Sequence, residues 1–301
     1  MSLASALEHA MLALVNAERA KHKLTPLAME RRLNDAADDH SQWLLDRDTV
    51  SHTGANGSTA TERMREAGFD FRGSWSSGEN LAMQSLRGAP GLEDDMRALH
   101  EGLMDSPSHR ANILRADFEA AGIGIKIGAY QGHQVMMITQ VFAETDGGMR
   151  LEGHDGRDTL RGGEGRDRIH GGRGDDRLFG GDGGDRLQGE SGDDTLVGGA
   201  GKDALIGGRG RDTLIGGSGD DTLLGGRGGD SFVFSRGGGT DTVRDFENGS
   251  DRIRIDSGAE RFSDLSIRDS GPDVTIRFAD ATIVLKNELF SGIDASDFLF
   301  A

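Results

Sequence analysis

The strongest constraint in this chain is a nine-residue register that runs without slippage from Gly153 to Val233. Position 1 is Gly in all nine units, from Gly153 to Gly225, and position 4 is Gly in all nine, from Gly156 to Gly228. Position 6 is always Asp: Asp158, Asp167, Asp176, Asp185, Asp194, Asp203, Asp212, Asp221 and Asp230. Position 8 is always apolar, from Leu160 to Phe232, and position 2 departs from Gly only at His154 and Glu190. Glycine fills 27 of these 81 positions and proline none. A collagen helix needs a period of three with proline, and a flexible linker needs no register, so neither accounts for the stretch.

Each unit divides into a glycine-rich turn and a short strand around the apolar position. Gly admits positive φ and lets carbonyl oxygens point inward, while Asp adds a carboxylate; such hard oxygen donors suit Ca²⁺ rather than zinc or copper. One unit cannot bury its Leu alone, so the units must stack. The pattern G-G-x-G-x-D-x-U-x resembles the calcium-binding nonapeptide of RTX proteins. That resemblance implies a parallel β-roll with two units per coil. Asp158, Asp176, Asp194, Asp212 and Asp230 then form one row, and Asp167, Asp185, Asp203 and Asp221 the other, with up to about seven calcium sites between successive turns. Without the ion, aligned carboxylates repel and the small apolar content does not offset chain entropy, so folding is expected to require calcium.

Beyond the repeats, Phe232–Phe234, Asp241–Phe246, Arg252–Ile255, Val274–Phe278 and Ile283–Leu285 alternate as half-buried strands and are expected to cap the roll. The segment resembles the C-terminal flank of secreted RTX enzymes. Asp297-Phe298-Leu299-Phe300-Ala301 resembles the tail read by type I exporters, or reads equally as a final core strand. The N-terminus shows no secretory signal pattern; Leu3, Leu7, Met11, Leu14 and Val15 mark a helix face, with Ser5 and Glu8 at capping-box spacing. The expected location is extracellular, reached by a bacterial protein without an N-terminal signal peptide.

The first 145 residues have ordinary composition. Helical periodicity covers 28–46, Thr59 and Glu62 form a capping box, and Ser106-Pro107 opens a short helix; β-rich sequence follows at Ile123–Ile127 and Val135–Phe142. An ordered series stands along this region: Asn16-Ala17-Glu18-Arg19, Pro26-Leu27, Ser51-His52-Thr53, Glu62-Arg63, Gly78-Glu79-Asn80-Leu81-Ala82 and Ser106-Pro107-Ser108-His109-Arg110-Ala111-Asn112. It resembles bacterial members of the CAP family (cysteine-rich secretory, antigen five and pathogenesis-related proteins). The resemblance implies an α/β/α sandwich with a cleft lined by His52, His109 and Glu79. The family's usual Trp is Leu103 here, its further Glu corresponds to Ser106, and Glu101 stands nearby as a substitute. His109 near a helix N-terminus is expected to stay neutral, and Glu79, in a Gly-rich loop, could orient a ring or act as a base. Three readings of this cluster stay open: a structural hydrogen-bonded group, a site for one divalent metal such as Zn²⁺, or acid–base catalysis.

The expected chain is therefore α+β. An α/β/α sandwich (1–148) precedes an all-β parallel β-roll (149–233) and a C-terminal β cap (234–301). The charge balance of 34 basic against 51 acidic residues is a poor match to nucleic acid, and no apolar run is long enough to span a bilayer. The absence of Cys removes disulfides and thiolate chemistry. No nucleophile elbow or H-E-x-x-H helix appears. The expected function is a secreted calcium-binding protein whose N-terminal domain engages an extracellular ligand or protein; the alternative is a metal-assisted hydrolase using His52, His109 and Glu79.

Overall fold

The computed structural model describes residues 3–86 and 91–301, with side chains among the first residues described only from residue 6; the side chains of Leu3 and Ser5 lie outside the described residues. The chain divides into two compact units, Met1–Gly147 and Gly148–Ala301.

In the first unit a four-stranded sheet is held between helices. Helix α1 (Leu3–Lys21), strand β1 (Ala28–Met29), α2 (Arg31–Asp46), α3 (Ala60–Glu66), β2 (Trp75–Ser85), α4 (Leu92–Asp105), α5 (Pro107–Ile113), β3 (Ala120–Tyr130) and β4 (His133–Thr145) follow in order. The strand order is β1-β3-β4-β2, with only β1 and β3 parallel. Strand β3 shows why the layers sit as they do. Ile123 and Ile125 join Met11, Val15, Leu99 and Leu103 in the larger core. The intervening Gly122 and Gly124 face α2, where a Cβ would collide with the backbone of Leu33 and Ala37. The sheet thus buries an apolar face against α1 and α4 and presents a flat one to α2.

Several motif residues are structural clamps. Asn16 exchanges two hydrogen bonds with the Leu27 backbone at 2.9 and 2.8 Å. Arg19, fully buried, donates to the carbonyls of Thr25, Ile113, Arg115 and Phe118. The Thr59–Glu62 capping box forms as expected. Three local expectations change. Ala28–Met29 is a strand and Glu30 the N-cap of α2, because Glu30 accepts from the Leu33 N–H. Helix α1 begins before Ser5, so the Ser5–Glu8 spacing falls inside it. Ser106 holds the N-cap position of α5 without a side-chain capping bond, leaving Pro107 to set the first turn.

The second unit is a parallel roll. One sheet stacks Thr159–Glu164, Arg177–Asp182, Thr195–Ala200, Thr213–Ser218, Ser231–Phe234, Arg252–Ile255 and Phe298–Phe300. The other stacks Arg150–Glu152, Arg168–Arg173, Arg186–Ser191, Ala204–Arg209, Thr222–Arg227, Thr240–Val243 and Ala281–Leu285, then turns antiparallel through Val274–Phe278 and Ser266–Asp269. Within the repeats each strand pairs with the one 18 residues on, Leu196 with Leu214 and Leu205 with Leu223, so two units make one coil. The position-8 side chains are buried in two facing ladders. The expected C-terminal strands all form, and most of them continue the parallel sheets rather than merely covering them.

Candidate functional site

The two rows of aspartates follow directly from the 18-residue coil. Each Asp N–H donates to Oδ1 of the Asp one coil further: Asp158 to Asp176, Asp176 to Asp194, Asp194 to Asp212 and Asp212 to Asp230, at 2.8–2.9 Å. Asp167, Asp185, Asp203 and Asp221 form the parallel row. One carboxylate oxygen therefore belongs to the fold. The other does not: Oδ2 of Asp176, Asp185, Asp194, Asp203, Asp212 and Asp221 is buried with no hydrogen-bond partner. Such orphans are costly unless a ligand meets them.

What surrounds these oxygens is a cradle for a hard cation. The space where a Cβ would stand on Gly207 holds both Asp212 Oδ2 and the Gly225 carbonyl; Gly162, Gly171, Gly180, Gly189 and Gly198 repeat the arrangement. Gly at position 1 is required by this close approach, whereas position 2 needs positive φ, +121° at Gly208. Glu190 adopts φ +76° in that place despite its side chain. Burial raises the carboxyls of Asp176, Asp185, Asp221 and Asp230 to about 6 and that of Asp212 to about 7. It lifts Asp194 and Asp203 in the same direction. Buried carboxylates and carbonyl oxygens together fit Ca²⁺.

The row that starts at Asp158 ends in occupied carboxylates. Asp158 takes the His154 N–H on Oδ2 at 2.8 Å, with the imidazole 3.1 Å from Oδ1. At the far end the rows extend to Asp241 and Asp251, which sequence spacing missed: Asp221 bonds Asp241 Oδ1 and Asp230 bonds Asp251 Oδ1. Their separations are 20 and 21 residues instead of 18. The surviving D-x-U pattern, Asp241-Thr242-Val243 and Asp251-Arg252-Ile253, was the available signal. Asp251 Oδ2 accepts the Glu247 N–H, and Asp245 accepts from Gly225 and Gly226, closing that end with backbone donors.

In the first unit, strand β2, α3, α5 and the loop after α2 bring His52, Glu79 and His109 into one neighbourhood. Glu79 lies in strand β2 and not in a loop, which fixes its carboxylate. His52 Nδ1 donates to Glu79 Oε1 at 2.8 Å, because a carboxylate can only accept; in the neutral tautomer that makes this bond, Nε2 is the acceptor nitrogen. The His52 ring is 63% exposed and the Glu79 side chain 4%. The second carboxylate oxygen is held by Arg63 of α3, which also donates to the carbonyls of His52 and Ser58. Arg63 stood in the motif series without an assigned role; its partner is 16 residues away on another element. Asn112 and Asn80 tie α5 to β2: Asn112 donates to the Glu79 carbonyl and Asn80 to the His109 carbonyl, both at 3.1 Å.

His109 is held below its ordinary pKa by burial first and by the charge of His52 second. Both act in the direction of the neutral ring expected from the sequence, though the causes are burial and a neighbouring ring. Leu103 is buried in the core, and Ser106 Oγ pairs with Ser108 Oγ at 3.2 Å. Glu101 is exposed on α4 and forms no hydrogen bond or ion pair with His52, Glu79 or His109 among the described residues. Neither Glu79 oxygen is free to ligate a divalent metal, because His52 and the Arg63 guanidinium engage them. Among the described residues no group of three or more His, Asp or Glu converges as a metal site. In the roll this reflects its construction, one carboxylate per turn with backbone carbonyls beside it.

Comparison with known proteins agrees with both halves. Residues 12–142 match the model of the cysteine-rich secretory protein family, and four copies of the RTX calcium-binding nonapeptide repeat match between 152 and 243. The chain is 31% identical over 123 residues to the uncharacterized protein YkwD of Bacillus subtilis (strain 168), covering 41% of this chain and 44% of that protein. Among solved structures, it is similar to an extracellular SCP-domain protein from Bacillus anthracis str. Ames, with 26% identity, TM-score 0.39 and coverage of 48% of this chain and 42% of that one. It is also similar to the extracellular lipase LipA from Serratia marcescens, with 19% identity, TM-score 0.32 and coverage of 52% and 39%. The chain thus spans less than half the length of each of these proteins. It carries a CAP-family domain at residues 12–142 followed by RTX calcium-binding repeats across 152–243.

Proposed function

We propose that this chain is an extracellular calcium-binding protein whose roll folds on Ca²⁺ and whose CAP domain binds a ligand or partner at the His52–Glu79–His109 cleft. The observation that carries the calcium half is the set of six buried, unpartnered Asp Oδ2 atoms, of Asp176, Asp185, Asp194, Asp203, Asp212 and Asp221, in register with Gly carbonyls. About seven ions would then sit along the rows, held by Asp167, Asp176, Asp185, Asp194, Asp203, Asp212 and Asp221. Bound calcium supplies positive charge between stacked carboxylates, and its binding energy becomes folding energy. Affinities near those of extracellular modules, about 10⁻⁴–10⁻³ M, would leave the roll unfolded in cytoplasm and folded outside. No helix among the described residues is long and apolar enough to cross a membrane.

Passage through a type I exporter that reads Asp297–Ala301 belongs to the same proposal. Phe298 is buried and pairs with Ile253, so the tail would be readable only before the roll folds. Circular dichroism of the full chain under calcium titration tests the calcium reading. The roll's β signal should appear with calcium and vanish in excess chelator, while the N-terminal helices persist. A roll that keeps its signal in chelator overturns it.

For the cleft, the exposed His52 Nε2, oriented through Nδ1, supports recognition of a hydrogen-bond donor. The same geometry supports a second reading, hydrolysis with His52 as general base to water. Its metal-assisted form lacks free carboxylate donors. Turnover of ester or peptide substrates that disappears in His52→Ala, with calcium-dependent folding intact, supports hydrolysis; no turnover across such a screen leaves the binding reading.

A further inference from the structure

Strand β3 has an outer edge that its sheet covers only in part. Strand β1 pairs with Ala120 and Ala121 alone, and β1 is the last strand of the sheet on that side. Beyond it the Ile123 N–H is taken by a side chain, Asn34 Oδ1 of α2, at 2.9 Å. Asn34 is held in turn from the opposite layer, because its Nδ2 donates to Glu8 Oε2 of α1 at 3.2 Å. Helices α1 and α2 pack on opposite faces of the sheet. These bonds therefore tie the two layers together around the edge of β3.

The tie contains more acid than base. Glu8 is 5% exposed. Asp38 stands four residues after Asn34, on the same face of α2, and its carboxyl meets that of Glu8 in a hydrogen bond. Two carboxylates can only accept, so this contact holds only with a proton between them. Glu8 Oε1 is the atom suited to carry it. Oε2 already accepts from Asn34, whereas Oε1 is buried with no donor directed at it, as fits an O–H that is itself the donor. Asp38 is the better anion of the two, since Lys126 Nζ of β3 lies 2.8 Å from its Oδ1.

The charged groups that face Glu8 are Asp38 from α2 and Lys126 from β3. Burial first, and the Asp38 charge second, raise the Glu8 carboxyl from 4.5 to about 7, against the Asn34 bond and the Lys126 charge. Its folded value thus lies above the unfolded one. The stability it contributes is full below about pH 4.5 and is lost as pH rises through about 7. Ionisation then sets two carboxylates against each other over one lysine, which strains the link that holds Asn34 on the β3 edge.

We infer that Glu8 and Asp38 share one proton in the folded CAP domain, and that this proton latches α1 to α2 around the edge of β3 until rising pH removes it. Neither residue belongs to the His52–Glu79–His109 cleft or to the aspartate rows. Hydrogen exchange of the full chain in saturating calcium, corrected for the intrinsic effect of pH on exchange, tests the latch at the Ile123 amide. Protection in the wild type should fall about tenfold between pH 5.5 and 6.5, the effect of one proton kept in the closed state, and level off above about pH 7.5. Glu8→Gln keeps an amide donor for Asp38 and cannot ionise, so its protection should stay flat over that range. The ¹³C signal of the Glu8 carboxyl, assigned by its loss in Glu8→Gln, should titrate near 7 in the wild type and at lower pH in Asp38→Asn. Should Glu8→Gln fail to fold, the wild-type and Asp38→Asn titrations still decide. A wild-type midpoint below about 5.5, an unchanged midpoint in Asp38→Asn, or an equal fall in protection in Glu8→Gln overturns the inference.

Discussion

The N–H of Asp185 donates to Oδ1 of Asp203, one coil away, at 2.8 Å, and this single bond leaves Oδ2 of Asp203 buried without a partner. Structure and ligand capacity are thus divided between the two oxygens of one carboxylate. Asp203→Asn can keep the bond to Asp185 while removing the charge. Equilibrium dialysis of the full chain should show about one ion fewer per chain and a higher calcium midpoint. Asp158→Asn should change the ion count less, because His154 already occupies that carboxylate. Equal losses in the two variants would contradict this division.

The two kinds of glycine should fail differently. Gly207→Ala places a methyl group against Asp212 Oδ2 and the Gly225 carbonyl, so it obstructs a cradle; calcium affinity should fall with a cost of about 1–3 kcal/mol. Gly208→Ala forces an L side chain to φ +121° against the Glu190 backbone. It should destabilise the roll with or without calcium. Calcium titrations followed by thermal melts separate the outcomes.

Acid should partly replace calcium. The carboxyls of Asp176, Asp185 and Asp221 are raised to about 6 and that of Asp212 to about 7, above their unfolded values. The calcium-free roll therefore binds more protons than the unfolded chain. Its stability is fullest below about pH 4 and is lost as pH rises through 6 to 7. Hydrogen exchange in chelator should show amides of 153–233 protected near pH 4.5 and open at pH 7.5. Protection that grows with pH would contradict this sign.

Arg63→Met leaves the buried Glu79 carboxylate with only His52. The CAP domain should lose about 3 kcal/mol or more. Its thermal midpoint should drop by roughly 6–12 °C, while calcium binding by the roll is unchanged. A midpoint within a degree of the wild type would show that the Arg63–Glu79 pair is not structural.

Much of the roll was legible because every coil repeats the same residue types at the same place. The buried ladders and the glycine positions follow from a period of nine, and row membership from the two-unit coil that the RTX resemblance implies. The rows' extensions to Asp241 and Asp251 were hidden because the period breaks there, although the short D-x-U signature survives. In the CAP domain, the motif pieces marked His52, Glu79 and His109, and the helix cap at Thr59. Local reading placed Glu79 in a loop because Gly78 interrupts the pattern; in the fold Gly78 is small because a Cβ there would crowd Asn112 and Phe118. Arg63 was invisible as a partner, since its contact to Glu79 depends on how α3 lies against β2. His40 and Trp43 fall within the helical periodicity of 28–46, which carries no signal for the concavity that α2 forms with α3.

The unequal last rungs of the aspartate rows have a consequence for alignment. A stack of identical coils has translational degeneracy: sliding one part by 18 residues exchanges one set of similar pairings for another. The 20- and 21-residue steps act like the odd mark on a vernier scale. In only one alignment do Asp241 and Asp251 meet Asp221 and Asp230 while Asp245 reaches Gly225 and Gly226. The irregular end therefore selects a unique register for a sequence whose middle can count coils but cannot tell them apart.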